Sequence, residues 1–289
     1  MLPSRFDYHR ASTVEEAFEF LDRYGEDAKV LAGGQSLIPL LKLRFAAPDH
    51  LIDVNPIASL GGISEAGGML TIGALTRHVD LVRSDVIARG YPTIAAAAPQ
   101  IADPLVRNLG TIGGSLTHAD PGGDLGAVML AMGASVVLRS SSGERTVPIS
   151  EFLVDTFTTT IAPNELLTEV HVPTPPARSG GTYLKLERKV GDYATVAAAI
   201  ALTLDNGSIA GAGIGLTGVD SKNVHATDAA ASLTGAAPSD EAFAEAGRLA
   251  AAAAHPVSDV RGSETYKRHM IEVYVRRGLA RSLEMANAG

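Results

Sequence analysis

Two short stretches pair glycines with neighbouring hydroxyls: Ala32-Gly33-Gly34-Gln35-Ser36 and Thr111-Ile112-Gly113-Gly114-Ser115. Glycine lacks a Cβ and accepts positive φ, so such a turn can press consecutive backbone N–H groups against an anion. The Ser or Thr alongside adds a hydroxyl donor. A single Gly-Gly turn is ordinary loop chemistry. Two of matching design, about 80 residues apart, point to one elongated ligand held from both sides. A dinucleotide pyrophosphate fits that description.

Other constellations carry less. Gly213-Ile214-Gly215-Leu216-Thr217-Gly218 satisfies G-x-G-x-x-G, but a dinucleotide fingerprint opens a helix inside a βαβ unit. Here the glycines lie in and just after a hairpin strand, so the match is set aside. His118-Ala119-Asp120 offers two ligand types with no companion cluster and reads as a loop whose Asp accepts backbone hydrogen bonds. There is no Ser-His-Asp order, no G-x-S-x-G elbow and no P-loop. Neither a catalytic side chain nor a metal site is expected on this chain.

Composition narrows the rest. At 289 residues, 46% hydrophobic and 19% charged, the chain can bury a core of one large or two ordinary domains. It contains no cysteine. That excludes a thiolate-held iron–sulfur cluster, a Cys zinc site, a disulfide and a Cys nucleophile here. A net charge of −8 without a Lys/Arg block argues against nucleic acid as a partner. No run is long and apolar enough to cross a bilayer. The opening Met-Leu-Pro-Ser-Arg-Phe-Asp-Tyr has no apolar signal core, so the expected compartment is the cytoplasm.

The elements that must position the two motifs follow from periodicity. Ser12 and Glu15 read as a capping box for a helix over 13–24 whose apolar face is Val14, Ala17, Phe18 and Leu21, with Gly25 closing it. A strand over 29–32 feeds the first motif. A brief helix over 37–43 starts on it, its N-terminus suited to phosphate. A strand over 50–54 completes a βαβαβ-like lobe. Then come a strand at 69–73, helices at 75–84, 95–98 and 124–132, a hairpin of 135–139 with 145–148, and a strand at 165–172. Residues 173–181, with three prolines and two glycines, read as a linker. Beyond it, strands at 182–188, 196–204 and 208–216, the latter two joined by Asp205-Asn206-Gly207, precede helices near 224–233, 239–254 and 263–285. The fold class is α+β.

The run from Asp103 to Leu125 resembles, nearly residue for residue, the FAD-binding medium subunit of molybdenum hydroxylases. That family includes aerobic carbon monoxide dehydrogenase and the flavin domain of xanthine dehydrogenase. Ala32-Gly33-Gly34-Gln35-Ser36-Leu37 resembles its other flavin segment. Tyr183-Leu184-Lys185-Leu186-Glu187-Arg188-Lys189, continued by Gly191-Asp192-Tyr193-Ala194, resembles the opening of its C-terminal domain. The resemblance spans essentially the whole chain. It implies a two-lobed FAD-binding domain of the vanillyl-alcohol-oxidase (PCMH) type over 1–176, with lobes of about 1–56 and 57–176. A C-terminal flavoprotein domain of the carbon monoxide dehydrogenase type would occupy 177–289. Ser115 departs from the Asn or Asp of many relatives, which changes the polar contact there.

The resemblance also assigns roles. Val30, Leu31, Ala32, Gly33, Gly34, Gln35, Ser36 and Leu37, with Thr111, Ile112, Gly113, Gly114 and Ser115, would cradle the FAD pyrophosphate. Backbone amides and the hydroxyls of Ser36, Thr111 and Ser115 would be the donors. Asp124 matches an acid that holds the cofactor, and it also opens a helix, where a carboxylate is favoured anyway. Ile101 and Leu167 match apolar positions beside the cofactor, with plain core packing as the alternative. Lys185 matches a cofactor-side lysine, with an exposed strand lysine as the alternative. Tyr193 matches a position for stacking near the flavin. Relatives work with a large molybdenum-cofactor subunit and a small subunit holding two [2Fe–2S] clusters, as a dimer of heterotrimers. The implied role is electron transfer from those clusters through FAD to an acceptor. A cofactor-free assembly protein and a standalone flavin oxidase are the other readings.

Overall fold

The computed structural model describes residues 2–288. The first lobe is β1 (Asp7–Arg10), α1 (Val14–Tyr24), β2 (Ala28–Leu31), α2 (Leu37–Leu43) and β3 (His50–Asp53), its strands parallel in the order β1-β3-β2. Helix α1 buries Val14, Ala17, Phe18 and Leu21 in a small core with Ile52 and Val54, the stripe that helical spacing dictates. Its cap lies one residue later than the sequence suggests. Thr13 Oγ1 accepts the Glu16 N–H at 3.1 Å, and Glu16 Oε2 accepts the Ser12 N–H at 2.7 Å. Thr13 is the residue with extended backbone at the helix start, so its side chain, not that of Ser12, faces the open amides.

The second lobe begins with β4 (Ile63–Ala66) and β5 (Met69–Gly73). Six short helices follow: α3 (His78–Arg83), α4 (Asp85–Gly90), α5 (Pro92–Ala97), α6 (Pro104–Leu109), α7 (Ile112–His118) and α8 (Asp124–Ala131). After β6 (Ser135–Ser140), β7 (Gly143–Pro148) and α9 (Ile149–Phe152), a small hairpin of β8 (Leu153–Asp155) and β9 (Thr158–Thr159) leads into β10 (Leu166–Pro173). The antiparallel sheet runs β4-β5-β10-β6-β7. The helix expected over 75–84 starts only at His78, because the carbonyls of Ala74 and Thr76 are taken by the N–H groups of Gly113 and Ile112. The helix expected at 95–98 begins earlier, at Pro92, where a missing N–H is harmless.

The last third is a sheet of β11 (Ser179–Leu186), β12 (Val196–Asp205), β13 (Ser208–Thr217) and β14 (Val224–His225), in that order. Three helices follow, α10 (Thr227–Leu233), α11 (Asp240–Ala252) and α12 (Glu264–Ala288). The expected linker is shorter than predicted, since β11 already begins at Ser179. Gly180 lets that strand approach the Ser282 carbonyl of α12 closely. The helix expected from 224 starts at Thr227, because Val224 and His225 first pair with the edge of β13.

Strand β12 serves two cores. Ala197 and Ala199 face the core shared with α5 and α8, while Val196, Ala198, Ile200 and Leu202 face the C-terminal helices. Alternation along one strand welds the C-terminal sheet to the second lobe.

Candidate functional site

The first motif leaves β2 and turns at Gly34, whose φ of +71° suits glycine. Asn55 Nδ2 holds the Ala32 carbonyl at 2.7 Å, and Gln35 Nε2 reaches back to the Gly33 carbonyl at 3.0 Å. The backbone N–H groups of Gly33, Gly34, Gln35, Ser36 and Leu37 have no acceptor among the described residues. These residues are half-buried. Consecutive amides without partners beside a left-handed glycine are donors open to an anion.

The second motif is not a turn. Thr111 caps helix α7, its Oγ1 accepting the Gly114 N–H at 3.1 Å, and both glycines lie inside the helix. The amides expected to be donors are already used. Ile112 N–H bonds the Thr76 carbonyl at 3.1 Å, Gly113 N–H the Ala74 carbonyl at 2.9 Å, and Ser115 N–H the Thr111 carbonyl at 3.0 Å. The buried Thr111 hydroxyl is likewise occupied as a cap. Gly113 is required for packing instead, since a Cβ there would lie 2.7 Å from the Ala74 Cβ. From this motif the Ser115 hydroxyl, half-buried, is left without a partner among the described residues.

The two segments nevertheless meet. Gly33 packs its bare Cα against the Leu109 carbonyl, and a Cβ would come within 2.8 Å of Gly110 Cα. At the other end of α6, the Arg107 guanidinium binds the carbonyls of Ile101 and Ala102, each at 2.8 Å. Helix α6 spans about 9 Å at 1.5 Å per residue and is the strut between the first motif and a second polar cluster.

That cluster joins α8 to β11. Asp124 at the start of α8 is buried and accepts Tyr183 Oη at 2.5 Å and Lys185 Nζ at 3.2 Å. Lys185 Nζ also donates to the Gln100 carbonyl at 3.0 Å and lies 3.5 Å from Glu187 Oε2. Its side chain is only 1% exposed, which settles it as a buried, shared cation and not an exposed strand lysine. Burial raises the Asp124 pKa, opposed by the Lys185 charge and the Tyr183 hydrogen bond. Burial beside Asp124 pushes the Tyr183 phenol well above its ordinary value.

Ile101 and Leu167 are buried in the main core. Val30 and Leu31 are half-buried along β2. The half-exposed Tyr193 ring lies beside Gly122, and burial of its hydroxyl near Asp120 raises its pKa to about 12. His118 and Asp120 stand 4.0 Å apart, and Asp120 Oδ1 accepts the Gly122 N–H at 2.8 Å. Gly213 and Gly215 pack directly on the carbonyls of Ala131 and Ala127 in α8, and Gly218 turns with φ of +77°, so the first two G-x-G-x-x-G glycines serve helix–sheet contact and the third a turn.

Sequence reading missed Tyr183 and Glu187, although spacing of two along a strand places them on the face of Lys185. It also missed Asn55, Arg77 and His78, which carry no local signal; only the tertiary fold brings them to the motifs. The donor set fits a dinucleotide such as FAD: open amides and bare Cα atoms at 33–34, unpaired hydroxyls on Ser36 and Ser115, and a buried cation at Lys185.

A family described as the FAD binding domain in molybdopterin dehydrogenase matches residues 4–175, and the CO dehydrogenase flavoprotein C-terminal domain matches 181–282. The carbon monoxide dehydrogenase medium chain of Afipia carboxidovorans is 43% identical over 282 residues, 98% of each chain. The 6-hydroxypseudooxynicotine dehydrogenase complex subunit alpha of Paenarthrobacter nicotinovorans is 41% identical over 287 residues, 99% of this chain and 97% of the relative. Among solved structures, a carbon monoxide dehydrogenase from Hydrogenophaga pseudoflava lacking the Mo-pyranopterin moiety superposes with a TM-score of 0.96. It shares 43% identity and covers 99% of both chains.

Proposed function

Since this chain belongs to the family of FAD-binding medium subunits of molybdenum hydroxylases, we propose that it is the electron outlet of such a complex. It receives electrons from [2Fe–2S] clusters on a small partner subunit and passes them to an external acceptor. A large subunit carries the molybdenum cofactor, and the assembly is a cytoplasmic dimer of heterotrimers. The absence of cysteine from the whole sequence supports this division, because the clusters must then sit on another polypeptide. The chain divides at 176/177 into the flavin-binding and C-terminal parts.

The observation that carries the reading is the run of unpartnered amides from Gly33 to Leu37. They hold the pyrophosphate, with the hydroxyls of Ser36 and Ser115 completing the donor set. FAD supplies both two-electron and one-electron transfer at its ring system. Tyr193 offers a half-exposed aromatic face, and Ile101 and Leu167, buried in the core behind the site, support its wall. Lys185, fixed by Asp124, places a positive charge that favours negative charge developing nearby. The second motif acts chiefly by shape: Thr111, Ile112, Gly113 and Gly114 form a rigid helical wall rather than a second row of donors.

The test is purification of the complex with its partner subunits. Bound flavin absorbing at about 450 nm, at one FAD per copy of this chain, is expected. A colourless complex with intact partners would reject the proposal.

A further inference from the structure

The Leu109–Gly110 peptide, just before the second motif, is gripped on all sides. Arg77 Nη1 donates to the Leu109 carbonyl, the His78 N–H donates to the Gly110 carbonyl at 3.0 Å, and the His78 ring lies over Gly110 Cα. The fourth side is the bare Cα of Gly33. Arg77 Nη2 reaches the other lobe, donating to Asn55 Oδ1 at 2.7 Å. Asn55 is itself fixed: its N–H and Nδ2 both donate to Asp53 Oδ1, at 2.9 and 2.7 Å, and Nδ2 also holds the Ala32 carbonyl. One guanidinium therefore ties the peptide that enters the first motif to the peptide that enters the second.

We infer that Arg77 is a positioning residue for the cofactor, acting through Asn55 and Leu109 to hold the loop at 33–37 in its anion-binding shape. This rests on the flavin reading above. The guanidinium fork is essential, because one planar group must satisfy two acceptors in different lobes at once. A lysine, with a single ammonium on a flexible stem, cannot span both. Arg77 needs no contact with the ligand for this role.

The experiment uses the assembled complex, stripped of flavin and titrated with FAD. Arg77→Ala and Asn55→Ala should each raise the FAD dissociation constant about 10- to 100-fold, the range for losing one hydrogen bond to a charged group. The double variant should be no weaker than the worse single one, because both cut the same tether. Arg77→Lys should not restore binding, and the melting temperature of the flavin-free complex should change little. Restored binding in Arg77→Lys with a silent Asn55→Ala would overturn the inference, since the guanidinium would then act as a plain charge on the ligand. Unchanged affinity in both single variants would overturn it as well. If Arg77→Ala does not assemble, Asn55→Ala and Asn55→Gln carry the test alone, with weakened FAD binding expected in both and normal binding contradicting it. A wild-type complex that takes up no FAD would instead bring down the flavin reading itself.

Discussion

The bare Cα of Gly33 packs against the carbonyl of Leu109, so the loop of one lobe and the helix end of the other touch with no room for a side chain. Two segments far apart in sequence thus become one wall. Glycine is needed at 33 for close approach; its backbone is not left-handed there, unlike that of Gly34.

Gly33→Ala would force apart the two lobes at that contact. Overpacking of this kind costs about 1–3 kcal/mol, and here the strain falls on the cofactor loop. The affinity of the complex for FAD should fall about 5- to 150-fold, that cost converted at about 1.4 kcal/mol per tenfold, while far-UV circular dichroism stays native. Unchanged FAD affinity in this variant would refute the role of the contact.

His78 provides a pH test. It is buried beside Arg77 and Arg107, with Nδ1 unpartnered, and desolvation first and those charges second lower its pKa from 6.5 to about 4. The unfolded chain therefore binds a proton that the folded chain refuses between those values. Stability is fully present above the unfolded pKa and falls as pH drops toward 4. Between about pH 7.5 and about pH 5 the loss from this residue is about 2 kcal/mol. Urea unfolding at the two pH values should show it, and His78→Leu should flatten that part of the profile.

Lys185 neutralises two buried or half-buried carboxylates, Asp124 and Glu187. Lys185→Met leaves both without a counter-charge, and breaking such a pair costs about 3–5 kcal/mol. Adding Asp124→Asn should recover part of that loss, because it removes one stranded charge. Chemical denaturation of the three variants gives the comparison; strictly additive losses would contradict the shared-cation arrangement.

Gly215 separates packing glycines from binding glycines. Its Cβ would strike the Ala127 carbonyl of α8, so Gly215→Ala should lower stability by about 1–3 kcal/mol. The folded fraction should still bind one FAD per chain. Selective loss of flavin without loss of stability would restore the dinucleotide-fingerprint reading set aside from the sequence.

Much of the fold was legible locally. The stripe of α1, the strands flanking the first motif and the Asn206-Gly207 hairpin follow from periodicity and turn chemistry. The second motif misled because Gly-Gly suggests a turn, whereas Thr111 ahead of it makes a cap and Ala74 demands a glycine surface. Lys185 could be placed on a strand, but its burial depends on α8 arriving from sixty residues earlier in the chain. The Arg77–Asn55 pair was invisible for the same reason: its members lie 22 residues apart, and the motif atoms they hold are the backbone carbonyls of Leu109 and Ala32, which sequence does not distinguish.

The unpartnered amides of Gly33 to Leu37 are the anion-binding groups of the proposed flavin site. Hydrogen–deuterium exchange of the complex with and without FAD measures them residue by residue. The expected result is strong protection at 33–37 on flavin binding, with Ile112, Gly113, Gly114 and Ser115 nearly unchanged because their amides are already bonded within the protein. Exchange at 33–37 that is indifferent to FAD would contradict it.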